Sequence, residues 1–163
     1  QTQKQWLDES QGMDAYLEDM VSRAKAMGDL CGQNYILFDK YTSVSLEGFI
    51  FTAVRAAHSD PYAIGVVIED TVENKVYYVT GDTLYNSRIF DSLPPLGRNI
   101  DVLFLPINGV GNNMNMTDAA RFAKKMHAMT VVPYHFGMFD SLDPNDFECR
   151  NKVIPPIWEE IEV

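Results

Sequence analysis

Cysteine is nearly absent. Cys31 and Cys149 are the two thiols in 163 residues, they form no C-x-x-C pair, and no histidine stands at zinc-finger spacing from them. A zinc finger is thereby excluded, and a reduced, cytoplasmic chain is favoured over a disulfide-linked one. Positive charge is also scarce: 13 Lys and Arg face 23 Asp and Glu, a net charge of −10. Such a surface repels phosphate backbones and anionic lipid, which speaks against nucleic-acid or membrane partners. No apolar run approaches the roughly 20 residues of a membrane-spanning helix. Gln1-Thr2-Gln3-Lys4-Gln5 shows neither a basic-then-apolar signal peptide nor an initiator Met, and the missing Met suggests a piece of a longer chain. Neither a G-x-S-x-G elbow nor a G-x-x-x-x-G-K-[ST] loop occurs. Acyl transfer through serine and phosphate-loop binding are therefore set aside. There is no internal repeat and no low-complexity stretch.

What is present suits a packed domain. Apolar residues make up 46% and aromatics 12% of the chain, enough to fill a core, and the length predicts one domain over residues 1–163. Met13, Tyr16, Leu17, Met20, Val21, Ala24 and Met27 fall at helical spacing, with Gly28 placed to end the helix. Strand formers follow: Tyr35-Ile36-Leu37-Phe38, then residues 49–54, 63–68 and 75–80, the last two flanking a polar link at 69–74. They predict an antiparallel meander that closes on a hairpin. Residues 100–106 read as a strand buried on both faces. A Gly/Asn loop follows at 108–115, then a helix capped by Thr117 and running to about Met129, then a strand at 130–133. Strand, helix, strand predicts a parallel pair. Asp143-Pro144 opens a short helix, with a final strand near Ile161.

Three polar residues stand where apolar strands turn into loops: His58, Asp82 in Gly81-Asp82-Thr83, and His135. Imidazole and carboxylate together suit zinc, iron or manganese, and widely separated ligands are what a site at one edge of a sheet requires. Each residue also has an ordinary reading, as a hydrogen-bonded histidine or a turn-forming aspartate. His127, inside the predicted helix, reads as structural.

Four motifs carry a resemblance. Ala57-His58-Ser59-Asp60, Tyr78-Val79-Thr80-Gly81-Asp82-Thr83, residues 101–109 and Val132-Pro133-Tyr134-His135-Phe136-Gly137-Met138-Phe139 resemble, in order, the second half of the metallo-β-lactamase fold. The L-ascorbate-6-phosphate lactonase-like metal-dependent hydrolases are the branch they look most like. The resemblance spans residues 35–147. It implies an α/β fold: the second half of an αββα sandwich, a mixed sheet with flanking helices. It implies a divalent metal, zinc or manganese, as two ions in an intact parent. His58 matches the histidine completing the first metal site, Asp82 the bridging and catalytic carboxylate, and His135 the last histidine of the second site. In that family a metal-bridging hydroxide attacks the substrate, so the resemblance implies hydrolysis of a small ester, lactone or phosphorylated compound. Asn108, Tyr134 and the loop 109–115 would border the substrate.

The family's H-x-H-x-D-H motif is missing, since His58, His127 and His135 are the only histidines. The chain alone is therefore expected to be inactive, a C-terminal part of a larger hydrolase rather than a lineage that lost its site. The half sandwich would leave an apolar sheet face bare, at a cost of about 25 cal/mol per Å², so pairing with the missing N-terminal half or self-association is expected. The alternative is a non-catalytic interaction module, or a degenerate homologue without a metal site.

Overall fold

Short runs of β-branched and aromatic residues with alternating burial make the strands of this chain. The structure, a computed structural model, describes residues 22, 38, 40–94, 99–137 and 141–156. Every element named below belongs to the compact unit Phe38–Val163. The strands are β1 (Ser43–Leu46), β2 (Phe49–Arg55), β3 (Ile64–Asp70), β4 (Lys75–Val79), β5 (Val102–Pro106) and β6 (Thr130–Tyr134), with one α-helix among the described residues, α1 (Met116–Met126). Apart from Ser22, which is helical, the predicted helix at 13–27 with Gly28 lies outside the described residues, as do the strand positions 35–37, Cys31, Met138, Phe139 and the strand near Ile161.

The six strands form one sheet in chain order, antiparallel from β1 to β4 and parallel from β4 through β6. The meander, its closing hairpin and the parallel β5–β6 pair are as predicted. β1 is an addition to the prediction. It folds back on β2 through Glu47 and Gly48, both with positive φ (48° and 91°), the backbone that a two-residue hairpin turn of matching twist demands. β3 runs two residues further than expected. Asp70 closes it by accepting the N–H groups of Val72 and Glu73 at 2.8 and 2.9 Å.

One sheet face packs under α1. Val67, Tyr78, Leu103 and Val131 are cross-strand neighbours on that face, and all are fully buried with Ala119 and Phe122 of α1. Phe122 is the hub of an aromatic cluster, with Phe90, Tyr78 and Tyr85 at centroid distances of 5.1, 6.2 and 6.2 Å. Arg121 lies 4.7 Å above the Tyr85 ring. Val66, Ile68, Tyr77, Val79 and Phe104 occupy the opposite face and are half-buried.

The helix corrects two expectations. Asn115, not Thr117, caps α1: its side-chain oxygen takes the Asp118 N–H at 2.9 Å, which starts the helix earlier and puts Thr117 in its first turn. His127 stands just past the end, its backbone left-handed (φ 51°) and its N–H turned back to carbonyls of the last turn. The chain therefore leaves the helix before Met129, and His127 is a C-cap rather than an interior residue. The Asp143-Pro144 opening holds, as a 3-10 turn over Pro144–Asp146. The outer edge of β6 is covered by residues 151–153, through Val131 N–H to Asn151 (3.0 Å) and Val153 N–H to Val131 (2.8 Å). No helix among the described residues is long and apolar enough to cross a membrane.

Candidate metal and active site

Strand direction assembles the site. β2, β4, β5 and β6 all run the same way, so the residues that follow them emerge at one end of the sheet. His58, Asp82, Asn108 and His135 are those residues. Backbone bonds tie the loops together. Thr83 takes the Ala57 N–H on its hydroxyl at 2.8 Å, Leu84 N–H reaches the Ala57 carbonyl at 2.9 Å, and Met114 N–H reaches the Thr83 carbonyl at 2.8 Å. Ala57 precedes His58 and Thr83 follows Asp82, so the first two candidates flank a single stitch.

Asp82 and His135 meet. The Asp82 Oδ2 lies 3.5 Å from His135 Nε2, with the two side chains 44% and 29% exposed, open to solvent yet in contact. His135 has φ 59°, a left-handed backbone that costs a non-glycine residue about 1–3 kcal/mol and collects at functional sites. Its other nitrogen, Nδ1, is 3.0 Å from the buried Asn108 amide nitrogen. Gly81 sets the approach of Asp82. With φ +65° it passes so close to β3 that an added Cβ would lie 2.4 Å from the Ile64 carbonyl.

His58 is held differently. Its Nε2–H donates to the Gly111 carbonyl at 3.2 Å and its Nδ1 accepts the Asp60 N–H at 3.3 Å. Both nitrogens are thus satisfied within the chain. Tyr134 stands beside the Asp82–His135 pair, its hydroxyl 3.4 Å from that of fully buried Thr80. Burial pushes the Tyr134 phenol up to about 12; the Thr80 hydroxyl eases this and the Asp82 charge adds to it. Tyr134 therefore remains a neutral hydroxyl across the ordinary pH range.

The donor chemistry fits a divalent cation in part. A carboxylate oxygen and an imidazole nitrogen face one another at a sheet end, and both types suit zinc or manganese. Among the described residues, however, no group of three or more His, Cys, Asp or Glu side chains is placed to hold a metal. Asp82 and His135 offer one carboxylate and one imidazole at this sheet end. The supporting residues that the sequence reading passed over are Thr80, Gly81 and Thr83. Their signal was the run Thr80-Gly81-Asp82-Thr83, small and hydroxylated residues crowding one carboxylate.

The family model described as the beta-lactamase superfamily domain matches residues 5–136. The chain belongs to the beta-lactamase superfamily. Within that superfamily it is similar to a UPF0173 metal-dependent hydrolase of Bacillus thuringiensis (strain Al Hakam), 37% identical over 87 residues, covering 51% of this chain and 35% of the relative. A UPF0173 metal-dependent hydrolase of Bacillus cereus (strain AH820) matches with the same figures. The chain thus spans about a third of the length of these relatives. Among solved structures, the metallo-beta-lactamase fold protein YhfI from Bacillus subtilis is similar with a TM-score of 0.51 and 22% identity, over 63% of this chain and 44% of that one. CmlA, a diiron beta-hydroxylase from Streptomyces venezuelae, gives a TM-score of 0.53 at 10% identity, over 63% of this chain and 25% of that one. These likenesses bear on fold alone, and the six-stranded mixed sheet of the described residues is similar to that of a metallo-beta-lactamase fold protein.

Proposed function

We propose that this chain is part of a metal-dependent hydrolase of the lactonase-like branch, acting on a small ester, lactone or phosphorylated compound. The observation that carries the reading is the 3.5 Å approach of Asp82 to His135 on a strained backbone at the shared strand end. Two relatives named as metal-dependent hydrolases support it. Asp82 and His135 would hold a divalent cation, zinc or manganese, with a second ion in the complete centre and His58 recruited once its Gly111 bond is exchanged. When bound, the cation supplies Lewis acidity and lowers the pKa of water. Asp82 serves as the catalytic carboxylate. Tyr134, kept protonated by burial, presents a neutral hydroxyl toward the substrate, and Asn108 borders the same space.

The remaining ligands must come from a segment with the family's H-x-H-x-D-H, so the chain alone is inactive. Pairing with that segment, or self-association, would cover the half-buried Val66, Ile68, Tyr77, Val79 and Phe104 face. The acidic surface opposes nucleic-acid and membrane partners, and the free Cys149 thiol suits a reducing cytoplasm.

A second reading has its own observation: both nitrogens of His58 are satisfied internally, as in a homologue that has lost its centre. The full gene product decides between them, assayed on lactone and phosphoester panels with zinc or manganese. Metal-dependent turnover that falls by about 100-fold or more in His135→Ala supports the hydrolase. Turnover indifferent to metal or to His135→Ala overturns it.

A further inference from the structure

We propose that Asn108 is a positioning residue whose side-chain amide decides which nitrogen of His135 carries the proton, and hence whether Nε2 can ligate. The consequence for ligation rests on the hydrolase reading; the hydrogen-bond geometry does not.

An amide nitrogen only donates. Asn108 Nδ2 lies 3.0 Å from His135 Nδ1, so Nδ1 must accept, and the neutral ring carries its proton on Nε2. That proton faces Asp82 Oδ2 at 3.5 Å. In this state the Nε2–H lies toward Asp82, and Nε2 has no lone pair for a cation. Turning the Asn108 amide by half a rotation brings Oδ1 to the same place. Oδ1 then accepts Nδ1–H, and the Nε2 lone pair opens beside the carboxylate. Metal-bound histidines ordinarily donate their second N–H to such an oxygen.

Little opposes the turn. Among the described residues Asn108 Oδ1 accepts only the Val110 N–H, at 3.5 Å, the weak limit of hydrogen bonding. The backbone, by contrast, is fixed by the bridge between Asn108 and Asn115 and by the Gly109 N–H to the Met114 carbonyl at 3.0 Å. A held backbone with a loosely held amide gives two orientations at one location, one for each state of His135. Bordering the substrate, the earlier expectation for Asn108, is compatible with this role but does not account for the 3.0 Å contact.

The test reads the ring nitrogens of the 15N-labelled chain by long-range proton–nitrogen NMR, on the alkaline side of the ordinary imidazole range. His58, with its proton on Nε2, is the internal reference. In the wild type His135 Nδ1 should be unprotonated and show a coupling to the Asn108 side-chain nitrogen across the hydrogen bond. Asn108→Asp, which can only accept, should shift the His135 proton to Nδ1 and leave His58 unchanged. Asn108→Ala should lose the coupling and let the proton spread over both His135 nitrogens. A wild-type Nδ1 that carries the proton, or one unmoved by Asn108→Asp, overturns the proposal. The wild-type coupling decides if that variant fails to fold. Zinc forms a separate arm. In the full gene product, ring shifts indifferent to zinc, with the Asn108 effects intact, overturn the metal reading and leave the Asn108 assignment standing.

Discussion

The hydroxyl of Thr83 accepts the backbone N–H of Ala57 at 2.8 Å while donating to the Leu84 carbonyl at 3.0 Å, wholly out of solvent. Through it the loop carrying His58 is fastened to the loop carrying Asp82. The site is therefore positioned by a buried side chain that has no chemistry of its own.

Thr83→Val keeps the shape and removes both bonds. The Ala57 N–H is left unpaired, and stability should fall by about 1–3 kcal/mol. Urea unfolding checks this, with Thr83→Ser expected to restore most of the loss.

Gly81→Ala should be worse than an ordinary surface change. The residue needs φ +65°, and its Cβ would sit 2.4 Å from the Ile64 carbonyl. Strain of at least about 1–2 kcal/mol is expected from the backbone alone, and relief of the clash should move Asp82. Thermal unfolding reports the first effect, and the amide shifts of residues 82 and 135 the second.

Alkaline pH should weaken the fold. Burial raises the Tyr134 phenol from 10.0 to about 12, and burial together with Tyr134 raises that of Tyr78 further. Folded values above unfolded ones favour the protonated form in the native state. This stability is complete below the unfolded value near 10 and is lost as pH rises through the folded ones. Unfolding free energy followed upward from about pH 9 should decline, with a shallower decline in Tyr134→Phe. An unchanged slope in that variant would contradict the assignment.

Phe122→Ala should cost about 3–5 kcal/mol, because Phe122 is fully buried and joins Tyr78, Tyr85 and Phe90 into one cluster. Denaturant unfolding measures it, and a loss below 1 kcal/mol would mean that α1 is held by something other than this cluster.

Much of the fold was legible because burial imposes a pattern. Residues 63–68 and 75–80 are apolar enough to declare strands, and a Gly/Asn loop before a helix signals a crossover. β1 was not legible: Ser43-Val44-Ser45-Leu46 is half polar, and its place comes from ladder bonds to β2 and the turn at Glu47-Gly48. The α1 cap was missed because Thr117 and Asn115 are both good caps two residues apart, and the local bond from Asp118 N–H to the Asn115 side chain selects the earlier one. At the site, Asp82 and His135 could be singled out because each lies within three residues of a strand end. Which group each histidine nitrogen would find could not. The Gly111 carbonyl reaches His58 only because the loop folds through left-handed residues at Gly109, Gly111 and Asn112, a geometry that no periodicity reveals.

Paramagnetic broadening by manganese tests the convergence of Asp82 and His135 most directly. Mn²⁺ added in small amounts to the 15N-labelled chain should broaden amides around residues 82 and 135 first, and Asp82→Asn or His135→Ala should abolish that focus. Broadening centred elsewhere, or spread evenly over the acidic surface and unaffected by either substitution, would show that these two side chains do not share a cation.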